Sequence, residues 1–151
     1  MGRYRSGVGI CQWRTAACLG AIWAGCGGGP LPTIAITNPT PGALVVLGSD
    51  LNASVAVAYA TTHFTVQAPG TCGGAGDCGQ VHLLIDGPAC DPVGLTYNNL
   101  AVSSPATAHF AACATPAGAH TVSLQLFQDD GAPVRDAHGG TVSASVAFVT
   151  Q

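Results

Sequence analysis

Along most of this chain, apolar and polar residues alternate one by one in short runs, and the runs are broken by Gly, Pro, Asn and Asp every few residues. Alternation with a period of two puts one face of an extended segment into a core and the other into solvent, so the pattern predicts strands. Thr33 to Thr37 reads as a first strand, closed by Asn38-Pro39-Thr40-Pro41-Gly42, and Ala43 to Leu47 as the next. Ala53 to Ala60 sets Val55, Val57 and Tyr59 against Ser54, Ala56 and Ala58, and Thr62 to Gln67 continues or pairs with it. A Gly- and Cys-rich loop, Pro69 to Gly79, precedes Val81 to Asp86; Ala106 to Ala112, Ala119 to Phe127 and Thr141 to Thr150 complete about seven or eight strands. No segment after residue 32 shows a convincing 3.6-residue period. The expected fold is all-β, an antiparallel sandwich.

The first 32 residues follow another pattern. Met1 to Arg14 holds Arg3, Arg5 and Arg14 and no acid, and the 11 residues Thr15 to Gly25 are apolar and end on small side chains before Cys26. This is the layout of an export signal, and it resembles a bacterial lipoprotein signal. Ala24 and Gly25 fit that family's pattern, whereas Trp23 stands where an aliphatic residue is usual. An ordinary cleaved signal and an uncleaved anchor are the competing readings, and the apolar run is short of the roughly 20 residues a spanning helix needs. The resemblance implies residues 1–25 as signal, Cys26 as the lipidated residue, a membrane partner through that lipid, and a place at the bacterial cell envelope. By the sorting pattern of enterobacterial lipoproteins that this signal resembles, Gly27 in place of Asp after the cysteine implies the outer membrane or cell surface over the inner membrane. Residues 26–32 are a linker, flexible and then stiffened by Pro30 and Pro32, and residues 33–151 form one domain.

Charge narrows the partners. From Cys26 onward one cation, Arg135, faces seven aspartates, a formal charge of −6, and the whole chain has no Lys and no Glu. Nucleic acid is excluded as a partner, since binding phosphate takes clustered Lys and Arg. With 48% hydrophobic and 7% charged residues, solubility rests on hydroxyl, amide and backbone groups. About 125 mature residues suffice for one core, and a monomer is expected.

The strand pattern resembles immunoglobulin-like and fibronectin-III-like domains from about Thr33 to Gln151, on the opening Ile36-Thr37-Asn38-Pro39 followed by Gly42 and Val-rich strands. Val81-His82-Leu83-Leu84-Ile85-Asp86-Gly87, then Gly118-Ala119-His120-Thr121-Val122-Ser123-Leu124-Gln125-Leu126 and Asp129-Asp130, also resemble a family of secreted bacterial domains. That resemblance implies an Ig-like sandwich with periplasmic or surface exposure, and no particular activity.

Four cysteines remain in the domain, Cys72, Cys78, Cys90 and Cys113, an even number suited to an oxidising compartment. Three connectivities are possible. The favoured one joins Cys72 to Cys78 around a Gly-rich loop and Cys90 to Cys113, the latter worth about 3 kcal/mol by loop-closure entropy. A four-thiolate zinc site would need paired cysteines two to four residues apart, and the intervals here are five, eleven and twenty-two residues.

His82 and His120 each begin an expected strand, and Asp86, Asp129, Asp130 and His138 lie near strand ends, so the imidazoles and carboxylates could converge on copper or zinc. The preferred reading is structural. His120 shares a face with Val122, Leu124 and Leu126, and His82 with Leu84, which makes each a hydrogen-bonded histidine at the core rim; His63 and His109 read as outward-facing strand residues. Asp86-Gly87, Asn98-Asn99 and Asp129-Asp130-Gly131 read as turns. No nucleophile elbow, phosphate loop or His-Glu-x-x-His motif occurs. The expectation is a non-enzymatic, envelope-anchored binding or structural module without a cofactor. It would contact an envelope protein or glycan through loops Pro69 to Gly79 and Gly87 to Leu100; the alternative is a periplasmic metal-binding domain.

Overall fold

The computed structural model describes residues 29–47 and 53–151. The signal, Cys26, Asp50 and Asn52 lie outside the described residues. Nine strands occur among those described: β1 (Thr33–Asn38), β2 (Leu44–Val45), β3 (Ser54–Thr62), β4 (Thr65–Val66), β5 (Cys78–Ile85), β6 (Asn99–Ala101), β7 (Ala106–His109), β8 (Gly118–Gln128) and β9 (Ser143–Thr150). They form a three-stranded sheet, β1-β3-β7, and a six-stranded sheet, β2-β9-β8-β5-β4, with β6 sharing the β5 edge that β4 uses. This is an all-β sandwich, as the alternation predicts, and Ig-like, as the resemblance implies. The first stretch divides between the sheets, β1 pairing antiparallel with β3 and β2 parallel with β9. Among the described residues no helix is long and apolar enough to cross a membrane.

The inward positions are those that alternation selects. Val55, Val57 and Tyr59 of β3 face Val81, Leu83 and Ile85 of β5 and Val122, Leu124 and Leu126 of β8 across one core, closed by Phe110 and Phe148. Burying one such aliphatic side chain contributes about 1.5–3 kcal/mol. Both disulfides form in the favoured connectivity, Cys72 with Cys78 and Cys90 with Cys113. The second joins the core itself, with Cys90 and Cys113 both buried.

Four expectations need correction. Thr62 to Gln67 neither continues β3 nor pairs with it: His63 takes a left-handed φ of 55°, which turns the chain across to the other sheet, where β4 lies parallel to the start of β5. The sandwich is therefore not wholly antiparallel, with β2–β9 and β4–β5 parallel. Ala106 to Ala112 is a strand only to His109, then a 3₁₀ turn at Phe110–Ala112. Asn99–Ala101, expected in a loop, is strand β6 and pairs with Val81 to Leu83.

Candidate functional site

β8 carries His120 inward on the face of Val122, Leu124 and Leu126, and the residue is 5% exposed. Its Nδ1 lies 2.6 Å from Asp86 Oδ2 and its Nε2 3.2 Å from the Pro116 carbonyl oxygen. The ring meets Phe110 edge-on, centroids 4.9 Å apart. Asp86 ends β5 with a left-handed φ of 52°, followed by Gly87 at 66°, a turn that Asp-Gly accommodates with little strain. That turn aims the carboxylate back at β8, where Oδ1 accepts the Thr121 N–H at 2.8 Å. Thr150 completes the cluster, donating its hydroxyl to Pro116 O at 2.6 Å and accepting from Gly118 N. Six polar groups thus tie together the end of β5, the 113–118 loop, β8 and the last strand.

His82 lies on the opposite face of the same sheet. Its ring stacks on Phe127 at 4.0 Å with 16° between planes, and Tyr97 covers it from another side at 4.4 Å. This corrects the expectation of a core-rim histidine: the face it shares with Leu84 is the outer one. Burial under the two rings lowers its pKa, because the charged form loses water. β5 and β8 align His82 with Gln125, five residues from His120, or about 17 Å along the strand.

The structure therefore keeps apart the residues that a copper or zinc site would need. His82 and His120 occupy opposite faces, and both nitrogens of His120 already lie within hydrogen-bond distance of protein oxygens, Asp86 Oδ2 and Pro116 O, in a buried site. Asp129 accepts Gly70 N–H at 2.6 Å and Cys72 N–H at 3.3 Å, so its carboxylate holds down the disulfide loop. Asp130 caps its own turn through Ala132 N–H. Among the described residues no group of three His, Cys, Asp or Glu side chains is placed to hold a metal ion. His138 lies at the exposed β8–β9 turn, where its N–H binds Asp136. That N–H, then those of Gly140 and Gly139, hold the Asp136 carboxyl below its ordinary value.

Sequence reasoning missed Asn98. It is 4% exposed; its amide donates to Cys90 O and His109 O at 2.8 and 2.9 Å, and its Oδ1 accepts His109 N–H. One side chain joins the buried disulfide, β7 and the loop returning to β6. Nothing local distinguishes it from the turn asparagine it resembles, because every partner but Cys90 is 11 residues off. His109 is held by this bond at the end of β7, and His63 is exposed in the bend after β3. Two buried groups stand unsatisfied among the described residues, the Tyr59 hydroxyl and Asp91 Oδ1. Burial pushes the Tyr59 phenol up to about 12 and raises the Asp91 carboxyl.

The two loops expected to form one contact surface leave β5 from opposite ends. Residues 69–79 lead into Cys78, whereas Gly87 to Asn98 starts beyond Ile85 and folds back along the edge of β5 until Tyr97 covers His82. On the outer face beyond them lies a hollow of about 310 Å³, floored by Ala119, Thr121, Ala147 and Val149 and rimmed by Pro41.

No protein-family model matches the chain, and no curated protein matches it. Among solved structures the chain is similar to fibronectin(III)-like modules of Clostridium thermocellum CbhA. The TM-score is 0.45 at 13% identity over 79% of this chain and 96% of that one.

Proposed function

We propose that this protein is a binding or structural module of the bacterial cell envelope, anchored by a lipid on Cys26 and contacting an envelope protein or glycan. One observation carries the reading: the polar side chains clustered at the loop ends, Asp86, His120, Asp129 and Asn98, are occupied in holding the scaffold. Asp86 with His120, Asp129 with the Gly70–Cys72 backbone, and Asn98 with His109 and Cys90 each fix a loop to the sandwich. Loops pinned in this way, with two disulfides beside them, lose little entropy when a partner binds, which favours contact over turnover. The wholly uncharged floor of the outer-face hollow suits a neutral partner. The Cys-rich domain and its export-type leader support the envelope location.

The test is acylation and partitioning. Mature protein from its native envelope should carry an acyl-modified Cys26 in its N-terminal peptide and enter the detergent phase, and Cys26→Ser should enter the aqueous phase still folded. A Cys26→Ser protein that stays with the membrane defeats the anchored reading.

A further inference from the structure

We infer that the domain stands with one pole against the bilayer, the pole of the 69–79 loop and the β8–β9 turn, and holds the 86–97 loop away from it. The inference rests on the lipid anchor at Cys26. It starts from where the chain leaves the fold. Thr33 pairs with Thr62 at the end of β3. Pro30, Leu31 and Pro32 run beside His63, Gly76 and Asp77 around a cavity of about 420 Å³, and Pro32 to Ile34 lie beside Asp136, Thr141 and Ser143. All of these belong to the pole where β5 begins and β8 ends. The opposite pole holds Asp86, the start of the 87–98 loop, the 113–118 loop and Gln151.

Length decides which pole can touch the membrane. From Cys26 to Thr33 the chain takes seven steps, at most about 25 Å fully extended, and Pro30 and Pro32 hold part of it straight rather than letting it turn back. β8 alone, with 11 residues, is about 37 Å long. A tether shorter than the sandwich cannot reach past it, so the domain cannot stand inverted, with its far pole set on the surface to which Cys26 is fixed and its near pole away from it. Val93, fully exposed, and Leu95, 47% exposed, are then presented outward, to a partner and not to lipid.

Charge does not hold the near pole down. It carries exposed Arg135 beside exposed Asp77, Asp130 and Asp136, and the domain as a whole is acidic, so an anionic headgroup layer repels it. The tether alone sets the contact.

The experiment compares hydrogen exchange of acylated protein in vesicles of phosphatidylethanolamine and phosphatidylglycerol with that of Cys26→Ser protein mixed with the same vesicles. Acylated protein should exchange about threefold or more slowly at 69–79 and 129–142 than the serine variant, with 86–97 unchanged. Inserting fifteen Gly and Ser residues after Pro32 should remove the difference. Acylated protein that is protected at 86–97, or nowhere, overturns the orientation and leaves the anchor standing. An N-terminal peptide without acyl mass overturns the anchor, and the orientation with it. Equal protection in the Cys26→Ser protein shows that the surface binds lipid by itself and overturns the tether argument.

Discussion

Replacing His120 by alanine tests the buried cluster most directly, because the ring engages three different kinds of contact. The hydrogen bond from Nδ1 to the Asp86 carboxylate, at 2.6 Å, is of the type that contributes about 1.5–3 kcal/mol. The edge-on contact with buried Phe110 adds about 0.5–1.5 kcal/mol. Two features moderate the loss: the Asp86 side chain is 35% exposed and can rehydrate, and Pro116 O keeps its bond from Thr150. The expected cost is about 2–4 kcal/mol, a fall in Tm of roughly 8 to 16 °C for a domain of this size. Urea unfolding followed by circular dichroism reads it, with Asp86→Asn completing a double-mutant cycle. Asparagine tolerates the left-handed turn and can still accept the Thr121 N–H, so the cycle isolates the ring–carboxylate bond, with an expected coupling of about 1–2 kcal/mol. His82→Ala should add independently to His120→Ala, since the two lie on opposite faces. A His120→Ala loss below about 1 kcal/mol, or no coupling to Asp86, would refute the account of this cluster.

Tyr59→Phe should leave stability unchanged or raise it by up to about 1 kcal/mol, because the buried hydroxyl it removes has no partner among the described residues; a clear loss in chemical denaturation refutes this. The phenol's rise to about 12 from 10.0 means that its contribution is full below pH 10 and is lost between pH 10 and 12, a window that Tyr59→Phe should flatten in alkaline melts. His82 has the opposite sign: its pKa is lowered from 6.5, so stability is full above pH 6.5 and declines as pH falls through the lower folded value. Protection factors at 92–97, corrected for the intrinsic exchange rate at each pH, should therefore fall in acid in the wild type, and His82→Phe should show no such step. Gly79→Ala would set a Cβ 2.0 Å from Phe127 O, in backbone that cannot yield, and should cost about 3 kcal/mol, measured as a lowered Tm.

Much of the fold was legible because it depends on neighbours in the chain. Val55, Val57 and Tyr59, or His120, Val122, Leu124 and Leu126, stand at alternate positions, and a strand can bury them only together. The disulfides were legible only as the favoured one of three connectivities, which the structure then formed. The candidate site was less so. Val81, Leu83 and Ile85 alternate against His82 and Leu84, and both sets contain apolar residues, so periodicity alone could not say which face turned inward. Asp86 was seen as a turn and as a carboxylate, but its partner His120 is 34 residues away.

The sequence by itself determined an all-β chain, the inward residues of β3 and β8, an acidic surface without clustered cations, and an even set of four cysteines in the domain. These follow from composition and from periodicity, which act over a few residues. Only the tertiary structure decided which strands pair. A left-handed bend at His63 sends β4 to the other sheet, a turn at Asp86 aims a carboxylate at His120, and Asn98 joins three segments. Each turns on a backbone angle or a distant partner, and neither leaves a period in the sequence. Opposite faces of one sheet separate His82 from His120 for the same reason: the register between β5 and β8 is fixed by the packing of the whole core, not by either strand.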